Sequence, residues 1–503
     1  MRVLRPTDSS LVGELAVTPS RDVPERVARA RSVQEGWVSL TPKDRERRLR
    51  GLVKALETRA PEIEETIVAE TGKPRAEAIA EMVAVADLIR YYLKNATGFL
   101  RPRRRETGWL LWKRARVLHE PLGVIGVISP WNYPFLLSMN PVVTALFAGN
   151  GAVLKPSEYA PYCGLLVEEL TRDAGLPDGL VQVIVGGGET GEALVRSGVD
   201  KLFFTGGSGT GRRVLEAAAA TLTPVVLELG GKDAAIVLED ADLERAARGI
   251  VWGAFQNAGQ TCLSVERVFV MEEVYDVFLR EVLAQVRELS TGTGRGVDVG
   301  PMTTPEQLLK VEELLEDAVG RGAVVLAGGE RADPASNVLL PTVLTGLDSS
   351  ARVLQEETFG PLLPITPVKD AHEAIERANE TAYGLSASIW TGDRRRGEEL
   401  AGKIRAGGVC VNDVIAHYGV PGLPFGGIGE SGFGRSKGPE GLAELTRTRS
   451  VLVDWLGMAR EPWWYPYSRR TEALLRAALA WRLKGGVRGL VAAIAVVAGK
   501  RRG

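Results

Sequence analysis

Three cysteines stand in the 503-residue sequence, and one has neighbours suited to chemistry. Cys262 closes the loop text Asn257-Ala258-Gly259-Gln260-Thr261-Cys262, just before the apolar run ERVFVM. A cysteine there can serve as a nucleophile once ionised, although an isolated cysteine is more often a buried packing residue. Two other segments shift the balance. Leu227-Glu228-Leu229-Gly230-Gly231-Lys232 sets a single carboxylate at the end of an apolar strand, which is costly unless the group has a partner or a task. Ser129-Pro130-Trp131-Asn132-Tyr133-Pro134 presents the Asn132 amide at the end of another. Two glycine-rich turns suggest a ligand as well. GGGETG, Gly186 to Gly191, fits G-x-G-x-x-G after the run VQVIV, and Phe204-Thr205-Gly206-Gly207-Ser208-Gly209-Thr210-Gly211 opens a helix after KLFF. Glycines let backbone approach a ligand closely, and a helix start offers free N–H groups to a pyrophosphate. GGGETG lacks a convincing acidic residue about 20 positions on, so it reads equally as a tight strand-to-helix turn.

The elements that must hold these residues are legible in the periodicity. From Pro24 to about Asn95 apolar residues recur at three- and four-residue spacings, which predicts helices. The runs GVIGVIS, GAVLKPS, VQVIV, KLFFTG and PVVLELG then alternate with helical text, the pattern of βαβ units and a parallel sheet. A second series follows in DAAIVLED, ERVFVM, AVVLAGG, LSASIWTG and GGVCVND. Arg103 to Pro121 reads as strands or a hairpin standing apart. The expected class is therefore α/β, with two lobes.

Composition limits the alternatives. Hydrophobic residues make up 45% and charged residues 25%, ordinary values for a globular chain. The formal net charge of -1 argues against nucleic-acid binding over the whole surface. Cys163, Cys262 and Cys410 form no disulfide framework, and His119, His372 and His417 are scattered, so no metal site is expected. The start, MRVLRPTDSSLVGELAV, has no apolar core of signal-peptide length, and the sequence reads as a cytoplasmic, reducing-compartment enzyme.

Taken together, PWNYP, LKPSE (Leu154 to Glu158), FTGG, LELGGKD, NAGQTC, EETFGP (Glu356 to Pro361) and LPFGG (Leu423 to Gly427) resemble the aldehyde dehydrogenase superfamily, in family order. The resemblance runs from the first helices to near Asp454. It implies oxidation of an aldehyde to the carboxylic acid with NAD(P), through a cysteine thiohemiacetal and thioester that water hydrolyses. Cys262 would be the nucleophile, Asn132 and the Cys262 N–H the oxyanion donors, and Glu228 the general base. Trp131, Lys155, Ser157, Glu158, Gly206, Gly207, Gly211, Leu229, Glu357 and Phe359 would hold the cofactor. Glu158 beside the adenosine ribose implies NAD, with NADP still admissible. Gly207 departs from the Ser of many relatives and removes a hydroxyl contact to the phosphates. The implied architecture is a Rossmann-like cofactor domain (1–101 and 122–230), an α/β catalytic domain (231–434) and a small β oligomerisation flap (103–121 and 445–455), with a homodimer or homotetramer expected. Two other readings remain: a relative that passes its thioester to coenzyme A, and a cofactor-binding pseudoenzyme recruited to membranes. The substrate mouth, drawn from Tyr133, Leu136, Leu137, Asn140, Gln256, Thr261, Leu263 and Tyr418, is mixed rather than richly aromatic. It offers no arginine for a substrate carboxylate, so a neutral aldehyde is favoured.

The tail, 456–503, departs from the family pattern. From Arg469 onward it carries nine basic residues against one acid, Glu472. Its longest apolar stretch, Leu490 to Ala498, has nine residues, short of the roughly 20 that span a bilayer. Peripheral contact with an anionic membrane surface is one expectation, and packing on the enzyme or a sister subunit is the other.

Overall fold

The apolar runs form two largely parallel sheets in the computed structural model, which describes residues 1–461, 463–488 and 491. Apart from Val491, the stretch Leu490 to Ala498 lies outside the described residues. Two units divide the chain: 1–99 with 121–447, and 100–120 with the chain from 448 onward.

The first unit carries both sheets. In one, Val124–Ile128, Gly151–Lys155, Val181–Val183, Lys201–Thr205 and Val225–Glu228 run parallel. Their spatial order is 225–228, 201–205, 124–128, 151–155, 181–183. The chain builds outward on one side of Val124–Ile128 and then returns to its other side. At that reversal the loops leaving the carboxyl ends of Val124–Ile128 and Lys201–Thr205 diverge and open a crevice, where α/β sheets bind ligands. Asn132, Glu158 and Gly206 all follow such strand ends, and Glu228 is itself the last residue of one.

The other sheet has the order 324–327, 342–345, 362–368, 265–271, 233–237, 386–390, 408–411, with only the first pair antiparallel. Thr342–Thr345 and Leu362–Val368 are not evident in the sequence. Pro364 and Pro367 sit in the latter strand, although it pairs on both sides. Proline removes a ladder donor and reads against a central strand. A late return also differs from expectation. Gly432–Phe433 adds antiparallel to Val225–Glu228, so the 231–434 segment does not keep to its own sheet. A Cβ at Gly432 would meet the Leu227 carbonyl oxygen at 2.1 Å, so the pairing needs a glycine. The expected helical text forms Val23–Ser39, Pro42–Leu49, Gly51–Thr71 and Arg75–Leu100.

In the second unit, strands Thr446–Asp454, Lys113–Pro121 and Arg103–Arg105 form one sheet. Trp109, Trp112 and Trp463 pack edge to face or tilted, with centroids 5.3 to 5.9 Å apart. Buried Glu461 accepts from Trp112 Nε1 at 3.0 Å and pairs with Lys113. The tail forms the helix Arg469–Lys484, capped by the Ser468 hydroxyl. Among the described residues no helix is long and apolar enough to cross a membrane.

Candidate active site

The loop before Cys262 is held in an unusual backbone conformation. Asn257, Ala258 and Gly259 have φ of 51°, 54° and 72°, three consecutive residues in the left-handed region. For Asn257 and Ala258 this costs on the order of 1 kcal/mol or more each, so surrounding contacts must enforce it. They do. Asn257 Nδ2 donates to the Asn132 carbonyl at 2.9 Å, and its N–H donates to Glu77 at 2.8 Å. Gln260 Nε2 donates to the Asn257 carbonyl at 2.8 Å, and Gln260 Oε1 accepts from Thr303 N at 2.8 Å. A Cβ at Gly259 would lie 2.3 Å from the Gly360 oxygen, so glycine alone fits there. Cys262 is half-buried, whereas Cys163 and Cys410 are buried.

Asn132 is fixed from the other side. Its Nδ2 donates to the Gln260 carbonyl at 3.0 Å, leaving the second amide hydrogen uncommitted. Its own carbonyl accepts from Lys73 Nζ at 2.6 Å. Lys73 pairs with Glu81 at 2.7 Å, and Glu81 caps the helix Pro134–Ala148 through the N–H groups of Phe135 and Leu136. The Cys262 N–H has no carbonyl partner among the described residues. Among the described residues one Asn132 amide hydrogen and the Cys262 N–H are thus left without an acceptor.

Glu228 is buried, and neither carboxylate oxygen is hydrogen-bonded among the described residues. Burial pushes it well above the usual carboxylate range. Arg435, Lys437 and the Ser436 hydroxyl pull the other way without reversing that. Burial also raises the Cys262 thiol, with Glu357, Asp233 and Glu228 adding to the effect. Both groups therefore hold their protons to higher pH than the free side chains do.

Three connected cavities surround these groups. A cleft of about 720 Å³ is lined by Trp131, Lys155, Ser157, Glu158, Gly206 and Gly207. An inner chamber of about 230 Å³ is lined by Trp131, Asn132, Leu229, Cys262, Glu357 and Phe359. A further cavity of about 230 Å³ is lined by Leu136, Leu137, Leu263, Tyr418, Cys262 and Glu228, among others. Cys262 and Glu228 belong to both of the last two, and Thr205 to all three.

The cleft and chamber fit a nicotinamide dinucleotide. Gly207 caps the helix Ser208–Ala219 without a side-chain bond, and a Cβ there would point into open space. Among the described residues the Ser208 and Gly209 N–H groups have no acceptor and are available to an anion. Glu158 is partly exposed, 3.6 Å from Lys155 Nζ, which itself donates to the Gly186 carbonyl at 2.9 Å. Gly188 and Gly191 of the GGGETG turn line the same cleft. Trp131 and Phe359 stand edge to face at 5.6 Å. Gly230 and Gly231 explain the LGGK text: their Cβ atoms would lie 2.3 Å from Glu357 Oε2 and 2.4 Å from the Cys262 oxygen.

One expected residue behaves differently. Gly211 does not line the cleft, because a Cβ there would meet Leu229 at 2.6 Å; it brings the helix close to the strand end. Ser157 lines the cleft, and its hydroxyl accepts from Tyr159 N at 3.3 Å in a local turn.

Supporting residues escaped the sequence reading. Lys232 pairs with Glu266 at 2.5 Å, both buried, and Glu266 accepts from Thr358 N at 2.8 Å and Phe359 N at 2.9 Å. This pair aims Glu357 and Phe359. The sequence signal is the charged pair Glu266-Arg267 within the strand text VERVFVM.

All eight residues expected at the substrate mouth line the third cavity. Trp252, Phe425 and Phe203 join Tyr133 and Tyr418, making it more aromatic than expected. No arginine or lysine lines it, and its second carboxylate, Glu81, is already held by Lys73.

The family pattern described as "Aldehyde dehydrogenase family" matches residues 1–451. The 4,4'-diapolycopene aldehyde oxidase of Methylomonas sp is 43% identical over 466 residues, 92% of this chain and 87% of that protein. A Mycobacterium tuberculosis aldehyde dehydrogenase complexed with NAD+ superposes with a TM-score of 0.86 at 34% identity, covering 90% of this chain and 94% of that one. An E. coli NADP-dependent enzyme superposes with a TM-score of 0.87 at 32% identity, with the same coverage of each chain. The chain belongs to the aldehyde dehydrogenase family. It is an NAD(P)-dependent enzyme that oxidises an aldehyde to the carboxylic acid through a covalent cysteine intermediate.

Proposed function

We propose that Cys262 is the nucleophile of this reaction, with Asn132 and the Cys262 N–H as oxyanion donors and Glu228 as the base that activates water. The position of Cys262 and Glu228 on the wall shared by chamber and apolar cavity carries the reading. Cys262 loses its thiol proton to water, its sulfur bonds to the aldehyde carbon, and the carbonyl π pair moves to an oxygen held by the two N–H groups. A bound nicotinamide dinucleotide supplies the hydride acceptor that makes the resulting thiohemiacetal a thioester. Glu228 then removes a proton from water as its oxygen attacks the acyl carbon, and the C–S bond breaks to release acid. Leu229 packs beside this centre, while Trp131, Lys155, Ser157, Glu158, Gly206, Gly207, Glu357 and Phe359 would hold the dinucleotide. NAD is the preferred form, because Glu158 would repel a 2′-phosphate. The substrate is an apolar, neutral aldehyde, supported by the aromatic cavity without a cation among the described residues and by the similarity to 4,4'-diapolycopene aldehyde oxidase. Glu228 argues against release to coenzyme A. Turnover of an aldehyde panel with NAD and NADP in parallel tests this; strict NADP use, or a coenzyme A requirement, overturns the corresponding part.

For the cytoplasmic enzyme we propose a homodimer or homotetramer, and peripheral membrane contact through the tail. On helix Arg469–Lys484 the exposed Leu475, Leu479 and Leu483 form one stripe, flanked by Arg476 and Arg482. Trp464, Tyr465 and Tyr467 are exposed nearby in sequence. Such a helix suits an anionic lipid surface. Because Glu461 is buried on Lys113 and Trp112, a truncation must begin after it. Removal from Ser468 is expected to leave aldehyde oxidation intact and abolish co-sedimentation with anionic vesicles. Equal partition of both forms contradicts the contact.

A further inference from the structure

The rim of the substrate cavity is apolar. Among its described lining residues only Ala80, Trp252, Ala416 and Gly419 are exposed, and they mark where it opens to solvent. Their elements carry further apolar side chains beyond the opening. On the helix Arg75–Leu100, Ile79 and Val83 lie one turn apart on a stripe beside Ala80. Past Gly419 the chain turns through Val420 and Leu423, with Leu423 N donating to the Val420 carbonyl at 3.1 Å. That turn lies against the same helix, because a Cβ at Gly422 would stand 3.3 Å from the Tyr91 ring. Ile79, Val83, Trp252, Val420 and Leu423 are each 44 to 56% exposed. Single exposed apolar residues are ordinary, but a group of them around one opening marks a binding surface. The cavity behind them is small, about 230 Å³, below the roughly 300 to 1,000 Å³ that encloses a drug-sized ligand.

We propose that these five side chains form an outer subsite for the hydrocarbon chain of the substrate. The enzyme then takes aldehydes longer than its cavity, with the carbonyl carbon at Cys262 and the far end of the chain lying across the collar. The inference rests on Cys262 as the nucleophile, a residue shared by this cavity and the inner chamber. The occupant follows from the position of the collar. An aldehyde must pass this opening to reach Cys262, so a second copy of the chain fixed across it would close the site. The substrate's own chain covers the collar only while it is bound. Inside the cavity a methylene is covered on all sides; on the collar it is covered on one and gains about half as much. The expected increments in kcat/KM are therefore about fourfold per methylene inside and about twofold outside.

Initial rates of the full chain with NAD and a series of straight-chain alkanals, kept below micelle-forming concentrations, read the subsite as the slope of log kcat/KM against chain length. The wild type should rise steeply and then, once the cavity is filled, continue at about twofold per methylene. The double variant Val83→Asn, Leu423→Asn alters side chains outside the cavity lining. It should keep the steep part and lose the second slope, a fall of about tenfold at the longest chains. Val83→Ile with Leu423→Ile keeps the carbon surface and should keep both slopes. If the asparagine pair does not fold, Ile79→Asn is judged by the same second slope. A wild-type series that stops rising when the cavity fills overturns the proposal, as does an asparagine pair that loses equally at every length. So does a second slope retained in that pair, whether its mass in solution or its vesicle binding changes with it. Acylation separates the two levels. No acyl group on Cys262 with an aldehyde of any length overturns the assignment of the nucleophile, whereas a normal acyl-enzyme with a single slope overturns only the outer subsite.

Discussion

The cavities that meet at Cys262 are built by different means. The cofactor cleft is made largely of backbone: glycine turns at Gly188 and Gly206–Gly207, a helix start at Ser208, and strand ends carrying Lys155 and Glu158. The substrate cavity is made of side chains from segments far apart in sequence, Leu136, Trp252, Leu263, Tyr418 and Phe425 among them. A backbone-built site depends on short local motifs and tolerates little change, since a Cβ at Gly230 or Gly231 would lie within 2.4 Å of the working groups. A site built of side chains can alter its shape and polarity without touching the frame. On the proposed reading the first fixes the reaction and the second selects the aldehyde.

That contrast can be broken at its hinge. Asn132 belongs to the shared chemistry, so Asn132→Ala should lower kcat by roughly 100- to 1000-fold for every aldehyde alike. A loss that varied with the aldehyde would move Asn132 from the reaction to selectivity. On the cofactor side, Glu158→Gln should raise the NADP-to-NAD ratio of kcat/KM by about tenfold, corresponding to about 1.4 kcal/mol of relieved repulsion. An unchanged ratio would remove Glu158 from cofactor choice. On the substrate side, kcat/KM should rise about fourfold per added methylene until the cavity fills, following about 0.8 kcal/mol per buried CH₂. A dicarboxylic semialdehyde outperforming its neutral analogue would contradict the apolar assignment.

The same difference governs what could be read in advance. Strand ends, glycine turns and the run NAGQTC are local, and the residues expected around the cofactor gather in one cleft and chamber apart from Gly211. Gly211 sits in the same turn text, yet whether a glycine faces ligand or packs on Leu229 depends on helix placement, not on spacing. The eight substrate-mouth residues lay beside motifs and were found; Trp252 and Phe203 lay in ordinary helix and strand text, and Phe425 lay within LPFGG but far along the sequence from the other mouth residues. Lys73 with Glu81 and Lys232 with Glu266 are two buried pairs, and a buried pair has no periodicity to betray it. The strand Leu362–Val368 was hidden by its prolines.

The most direct test of the central claim is peptide mass spectrometry of Glu228→Gln after incubation with NAD and an aliphatic aldehyde. With hydrolysis stalled, the acyl group should accumulate as a thioester on the peptide containing Cys262, at about one per chain, and vanish in the Cys262→Ala double variant. Acylation of Cys163 or Cys410 instead, or turnover without any acyl-enzyme, would contradict the assignment of Cys262 as the atom where the two cavities become one site.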